Sequence, residues 1–158
     1  MKFNMKFNNS TIFKRGDIFE ENVTAIVNPV NCVGVMGKGL ALEFKKRFPA
    51  NYQAYQEACS NSLVVLGRVY IFKTNSIHGL KYILNFPTKH HWKDRSRIKD
   101  IENGLNDLMG VLLEFEIGSV AIPALGCGLG GLDWKDVSKL IEETFSDVNK
   151  KIIVFEPC

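Results

Sequence analysis

Residues Ser119–Trp134 read SVAIPALGCGLGGLDW. An apolar run ends where Gly126, Gly128, Gly130 and Gly131 surround only Cys127 and Leu129, and Asp133 then opens an amphipathic run. The pattern is strand, bare-backbone loop, helix start. Glycine lets main-chain N–H groups approach a ligand closely, and a helix N-terminus adds unpaired donors and partial positive charge. Together these favour an anion, a phosphate or pyrophosphate above all. The plain alternative is a tight turn that needs positive φ. One glycine would serve that need, so the glycine density favours a ligand cradle.

Working outward, Val137, Leu140, Ile141 and Phe145 form the buried stripe of the helix that follows, and Lys151 to Phe155 reads as a closing strand. Upstream, Ile98 to Phe115 carries Ile101, Leu105, Leu108, Met109 and Leu112 at helical spacing. Val64 to Lys73 and Lys81 to Phe86 are strand candidates joined by a loop holding Asn75, Ser76 and Gly79. Ala25 to Val30, AIVNPV, is a β-branched run of the kind buried on both faces. It leads into a second glycine loop, Gly34–Gly39 (GVMGKG), and a helix with Leu40, Phe44 and Phe48 on one stripe, stopped by Pro49. Tyr52, Tyr55 and Cys59 suggest another short helix, and Thr11 to Lys14 a first strand. Strands alternating with helices give an α/β fold with a mostly parallel sheet and helices on both faces. Ligands bind beyond the carboxyl ends of such strands, so the two glycine loops are expected side by side around one ligand.

The 158 residues suit one domain with a real core, and 46% hydrophobic with 23% charged residues is ordinary for a soluble protein. A formal charge of +3 is a mild bias toward anionic partners. Cys32, Cys59, Cys127 and Cys158 show no zinc-type spacing, which points to a reducing cytoplasm. The opening repeat MKFNMKFN (1–8) has no apolar core of a signal peptide, and no run approaches a membrane span.

Two familiar phosphate motifs fail. Gly126-x-Gly128-x-x-Gly131 matches the dinucleotide fingerprint, with Glu156 at the end of the next strand, but no further βα units follow. In GVMGKG, Leu40 stands where a P-loop has Ser or Thr. Taken together, Gly16-Asp17-Ile18, AIVNPVN (25–31), the early glycine loop and PALGCGLGG (123–131) resemble a macrodomain, the ADP-ribose-binding αβα sandwich. NCVGVMGKGLALEFKKRFP (31–49), NFPTKHHW (85–92) and ALGCGLGGLDW (124–134) are similar to the macrodomain of the DarG family, antitoxins that remove ADP-ribose from thymidine in DNA. The resemblance covers nearly the whole chain. It implies a three-layer αβα sandwich with a six-stranded, mixed, mostly parallel sheet and the ligand in a cleft at its top. Residues 1–158 are expected to form a single macrodomain, the N-terminal part of a longer protein in such families.

The resemblance also implies roles. Asp17 would accept from the adenine amine, with the Ile18 backbone completing that edge; the plain reading of Asp17 is a cap on a short helix. Asn28 and Asn31, flanking Pro29, would point into the cleft, with Asn31 on the distal ribose hydroxyls; the alternative is Asn as a turn residue. Gly34, Val35, Met36 and Gly37 would close over that ribose and the phosphates, and Thr88 with Ala124, Leu125, Gly126, Cys127, Gly128, Leu129 and Gly130 would complete the pocket. Lys38 is a phosphate contact or a solvated lysine. Lys89 is expected to be catalytic: its amine would attack the anomeric carbon of the opened distal ribose and form a transient Schiff base, which requires a neutral amine part of the time.

His90, His91, Trp92, Lys93 and Arg95 form a basic stretch with one aromatic, suited to single-stranded nucleic acid. On composition alone, a solvated loop with Trp92 tucked into the core is preferred; the position beside Lys89 reverses this. No metal or other cofactor is expected, since two adjacent histidines do not make a site. Gly130 stands where related glutamate-directed glycohydrolases carry an acidic Asp, which leaves the proton donor unassigned.

The expected function is therefore an ADP-ribosyl glycohydrolase on thymidine of single-stranded DNA, antitoxin to a cognate DNA ADP-ribosyltransferase toxin, monomeric and away from membranes. The alternatives are a non-catalytic ADP-ribose-binding module and a glycohydrolase of ADP-ribosylated protein glutamate or of ADP-ribose 1″-phosphate.

Overall fold

A computed structural model describes residues 11–75 and 79–158. The opening repeat and Ser76 lie outside the described residues. The strands are β1 (Thr11–Lys14), β2 (Ala25–Val30), β3 (Tyr70–Lys73), β4 (Tyr82–Pro87), β5 (Ser119–Ile122) and β6 (Lys151–Phe155). The helices are α1 (Gly39–Arg47), α2 (Pro49–Ser60), α3 (Ile98–Glu114) and α4 (Trp134–Thr144), with a 3-10 turn at Ile18–Glu20. The six strands form one sheet in the order β1-β6-β5-β2-β4-β3, parallel throughout except for the antiparallel β3–β4 edge.

Side-chain alternation along the strands builds two cores. Ala25, Val27, Leu84, Phe86, Val120, Ile122, Ile152 and Val154 pack with Ile101, Leu105, Leu108 and Leu112 of α3 and Val137 and Ile141 of α4. Ile26, Val30, Ile83, Ala121, Ile153 and Phe155 face the other way, toward Phe44 of α1 and Tyr55 and Ala58 of α2. Each fully buried aliphatic or aromatic side chain contributes about 1.5–3 kcal/mol to this three-layer arrangement. Gly104 sets the height of α3 over the sheet, because a Cβ there would collide with the Phe86 ring.

Two expectations need correction. The strand expected over Val64 to Lys73 is limited to Tyr70–Lys73. Gly67 takes φ +85°, and the Val69 N–H donates to Asp107 Oδ2 at 2.7 Å rather than to a neighbouring strand. Pro49 does not only stop the first helix; it occupies the first turn of α2, where a missing N–H costs nothing.

The chain leaves β2, β4 and β5 at the same edge of the sheet, because these three strands are parallel neighbours. The early glycine loop, the segment containing Lys89 and the late glycine loop are thereby gathered at one rim.

Candidate active site

The early loop is shaped by one asparagine. Asn31 Oδ1 accepts from the N–H groups of Val33 (3.0 Å) and Val35 (3.4 Å), and its Nδ2 donates to the Val35 carbonyl at 2.8 Å. The Tyr55 hydroxyl donates toward Asn31 Oδ1 (2.7 Å) and the Asn31 carbonyl (2.8 Å) from beneath. Burial holds the Tyr55 phenol well above its ordinary pKa, so it remains a donor. Asn31, expected as a direct ribose contact, thus also organises the loop through its amide.

Asn28, expected to point into the cleft, lies beneath the early loop. It is fully buried, and its Nδ2 donates to Asn85 Oδ1 at 3.1 Å and lies 3.9 Å from Met36 Sδ. Asn85 in turn exchanges hydrogen bonds with Asn51 of α2, at 3.2 and 2.9 Å. This buried amide cluster fastens β2, β4 and α2 directly below the early loop. Asn51 was not singled out by sequence reasoning, since a helical Asn reads as exposed. The side chains of Met36, Leu125 and Ile18 are buried in the hydrophobic cores, so it is their backbone that faces the rim, the part of Ile18 that was expected to contact a ligand.

The late loop is built differently. Its turns are closed by main-chain bonds: Cys127 N–H to Ala124 C=O, Gly131 N–H to Gly128 C=O and Leu132 N–H to Gly126 C=O. Asp133 caps α4 by accepting from the Lys135 N–H at 2.9 Å. Ala124 and Cys127 are half-buried, Gly128 is exposed, and Leu129 stands 69% exposed at the tip. Gly130 is buried, and a Cβ on it would overlap Ser96 Oγ and lie 2.6 Å from the Gly126 carbonyl oxygen. No acidic side chain fits this position.

Between the loops runs a strap, residues 88–97. Thr88 N–H donates to the Val30 carbonyl (2.8 Å), and Cys32 N–H donates to the His90 carbonyl (2.8 Å). At the other end Ser96 N–H donates to the Gly130 carbonyl at 3.0 Å. Thr88, expected to complete the pocket, is buried with its hydroxyl also toward Val30. Arg95, expected on nucleic acid, reaches the Gly131 carbonyl at 3.5 Å and packs where a Cβ on Gly131 would lie. Ser96 was missed: in sequence it looks like a filler residue in a basic loop.

Lys89 sits on this strap next to the early loop, with its carbonyl 3.8 Å from Cys32 Sγ. It is half-buried, and among the described residues its ammonium has no hydrogen bond and no acidic partner. Beyond it His90 is exposed, and His91 and Trp92 stack with ring centroids 5.0 Å apart. Trp92 is 46% exposed, which rules out the core-packed reading, and Lys93 Nζ lies 5.1 Å above its ring. Asp94 closes this turn by accepting from the His91 N–H at 3.0 Å. At the far end of the rim Asp17 caps the 3-10 turn through the Phe19 N–H at 2.9 Å and is exposed.

A six-stranded, mostly parallel αβα sandwich with two glycine loops over one rim is a macrodomain architecture, and the chain belongs to this family: the profile described as "Macro domain" matches residues 27–141. The chain is 47% identical over 133 residues to a DNA ADP-ribosyl glycohydrolase of Mycobacterium tuberculosis, covering 84% of this chain and 38% of that protein. Its fold superimposes on the macrodomain of Mycobacterium tuberculosis DarG with a TM-score of 0.93 at 42% identity, covering 95% of this chain and 99% of that one. It also superimposes on Thermosipho africanus DarTG in complex with ADP-ribose, with a TM-score of 0.89 at 36% identity over 94% of this chain and 42% of that one. The chain thus spans about two fifths of the length of the curated relatives it matches. Among the described residues no helix is long and apolar enough to cross a membrane.

Proposed function

We propose that this chain is an ADP-ribosyl glycohydrolase that removes ADP-ribose from thymidine in single-stranded DNA. The observation that carries this is Lys89: it is half-buried, free of any acidic partner among the described residues, and held on a strap fastened to both glycine loops. The loops would grip the diphosphate through main-chain N–H groups, with Asp17 and the Ile18 backbone at the adenine edge. Asn31 would keep the early loop in shape over the distal ribose.

The Lys89 amine, when neutral, would attack C1″ of the ring-opened distal ribose. The bond between C1″ and the base nitrogen breaks, the base leaves with a proton, and water hydrolyses the resulting imine to release ADP-ribose and the amine. A carboxylate at position 130 would collide with Ser96 and the Gly126 carbonyl, so glutamate-directed chemistry using an acid there is disfavoured. The exposed Trp92–His91 pair beside Lys93 supports single-stranded DNA as the carrier, with a base stacked on the ring and a phosphate near the cation.

The similarity to the relatives named above supports an antitoxin role against a DNA ADP-ribosyltransferase; we propose with it a monomeric domain acting in the cytoplasm. A second reading, an ADP-ribose reader without turnover, is favoured by one observation: the late loop has room for no acid. The deciding experiment incubates ADP-ribosylated single-stranded DNA with wild type and Lys89→Ala. Wild type should release ADP-ribose, and the variant should be slower by about 10³-fold while still binding the product. Equal release by both proteins refutes the Schiff-base route, and bound but intact DNA with wild type selects the reader.

A further inference from the structure

We propose that Ser96 is a positioning residue for the late loop, whose hydroxyl waits beneath Gly126 and Gly130 and bonds the Gly126 carbonyl when the loop settles on a diphosphate. The inference rests on the reading of the cleft as an ADP-ribose site.

Ser96 is 5% exposed, and its Oγ is enclosed without a hydrogen-bond partner among the described residues. A serine hydroxyl can rotate to suit its neighbours, so an enclosed one that finds none is rare and costly. The surroundings are not short of acceptors. The space above Gly130 is shared by Ser96 Oγ and the Gly126 carbonyl oxygen, since a Cβ there would meet both. The Gly126 carbonyl already accepts from the Leu132 N–H at 2.9 Å and retains a second lone pair. Because both oxygens border the space a Gly130 Cβ would fill, hydroxyl and carbonyl can be joined there.

That oxygen shares a peptide plane with the Cys127 N–H. The Cys127 N–H itself donates to the Ala124 carbonyl at 3.2 Å, so holding this plane steadies the turn that carries the Gly128 and Leu129 N–H groups. The strap is already anchored to the same loop by the bond from Ser96 N–H to Gly130 C=O, so the hydroxyl is carried by a fixed backbone. The glycine at 130 makes way for this side chain, and a Cβ on Gly126 would lie 2.8 Å from Leu132 Cδ1 and 3.2 Å from Ser96 Cβ. The late loop therefore has an enclosed, unpartnered hydroxyl beside it and gains a bond when it is shaped for an anion.

The test compares wild type with Ser96→Ala by thermal unfolding without ligand and by titration calorimetry with ADP-ribose. Deleting a partnerless hydroxyl should leave the unliganded Tm unchanged or raise it, while ADP-ribose binds about five- to tenfold more weakly. A hydroxyl with a merely structural role would give the opposite result: a lower Tm and unchanged affinity, which overturns the proposal. Unchanged Tm with unchanged affinity overturns it as well. If wild type itself fails to bind ADP-ribose, the reading of the cleft falls and this inference falls with it; if wild type binds and the variant binds equally, only the role of Ser96 is lost.

Discussion

The two glycine loops sit on the same rim but are held by opposite means. The early loop, residues 31–39, is tied by side chains: one asparagine amide accepts from two backbone N–H groups and a tyrosine, and donates to a carbonyl. The late loop, residues 124–133, has main-chain turns, and its glycines are spaced by the bulk of Ser96 and Arg95 beneath them. The early loop should therefore fail when hydrogen bonds are deleted, and the late loop when volume is added.

The largest effect on that contrast is expected from Gly130→Asp. Overpacking against Ser96 and a backbone carbonyl, with a carboxylate forced into a buried position, should destabilise the fold by about 3 kcal/mol or more. A wild-type Tm for this variant would break the volume argument. Asn31→Ala should cost about 2–3 kcal/mol by orphaning several partners, and Tyr55→Phe about 1 kcal/mol by removing one. Both should also weaken ADP-ribose binding, measured by calorimetry. If Asn31→Ala left the fold and the affinity intact, the early loop would be held by its glycines after all.

The smallest effect is one that the two loops share. Burial, aided by Cys59 and Asp100, pushes the Cys32 thiol from 9.0 to about 11, and burial with Asp133 does the same for Cys127. A folded-state pKa above the unfolded one means that the native form keeps its proton longer. This contribution is full below about pH 9 and is lost as pH rises toward about 11. Denaturant midpoints measured across that window should fall, with a shallower fall in Cys32→Ser or Cys127→Ser. An identical slope in the variants would remove the thiols from the account.

Much of this was legible in the chain. β2 and β6 run over the residues expected, because AIVNPV and KIIVF are continuous apolar runs that only a strand buried on both faces accommodates. Asp133 as a helix cap was equally plain, since the residue type and the following stripe agree. The stretch before β3 was misread because its apolar residues continue across Gly67, and nothing local reveals that Asp107, far along the chain, takes the Val69 N–H. Within the site, glycine density located both loops but not what shapes them. Asn51 and Ser96 escaped notice because a polar residue in a helix or a basic loop is read as solvated, and their burial is settled only by tertiary packing. The one local hint for Ser96 was Gly130 itself: four glycines in six residues suggest that something nearby needs the room.

The strap between the loops has a further consequence. Its footing is main-chain to main-chain at Val30–Thr88, Cys32–His90 and Gly130–Ser96, and main-chain atoms are common to all residue types. The outward turn from His91 to Asp94 carries the stacked rings yet contributes none of those three ties. On the proposed reading, preference for a carrier polymer could thus be rewritten there by exchanging side chains without touching these three ties. On that reading, choice of target and machinery of cleavage would be separable modules in this scaffold, although they occupy neighbouring positions in one short segment.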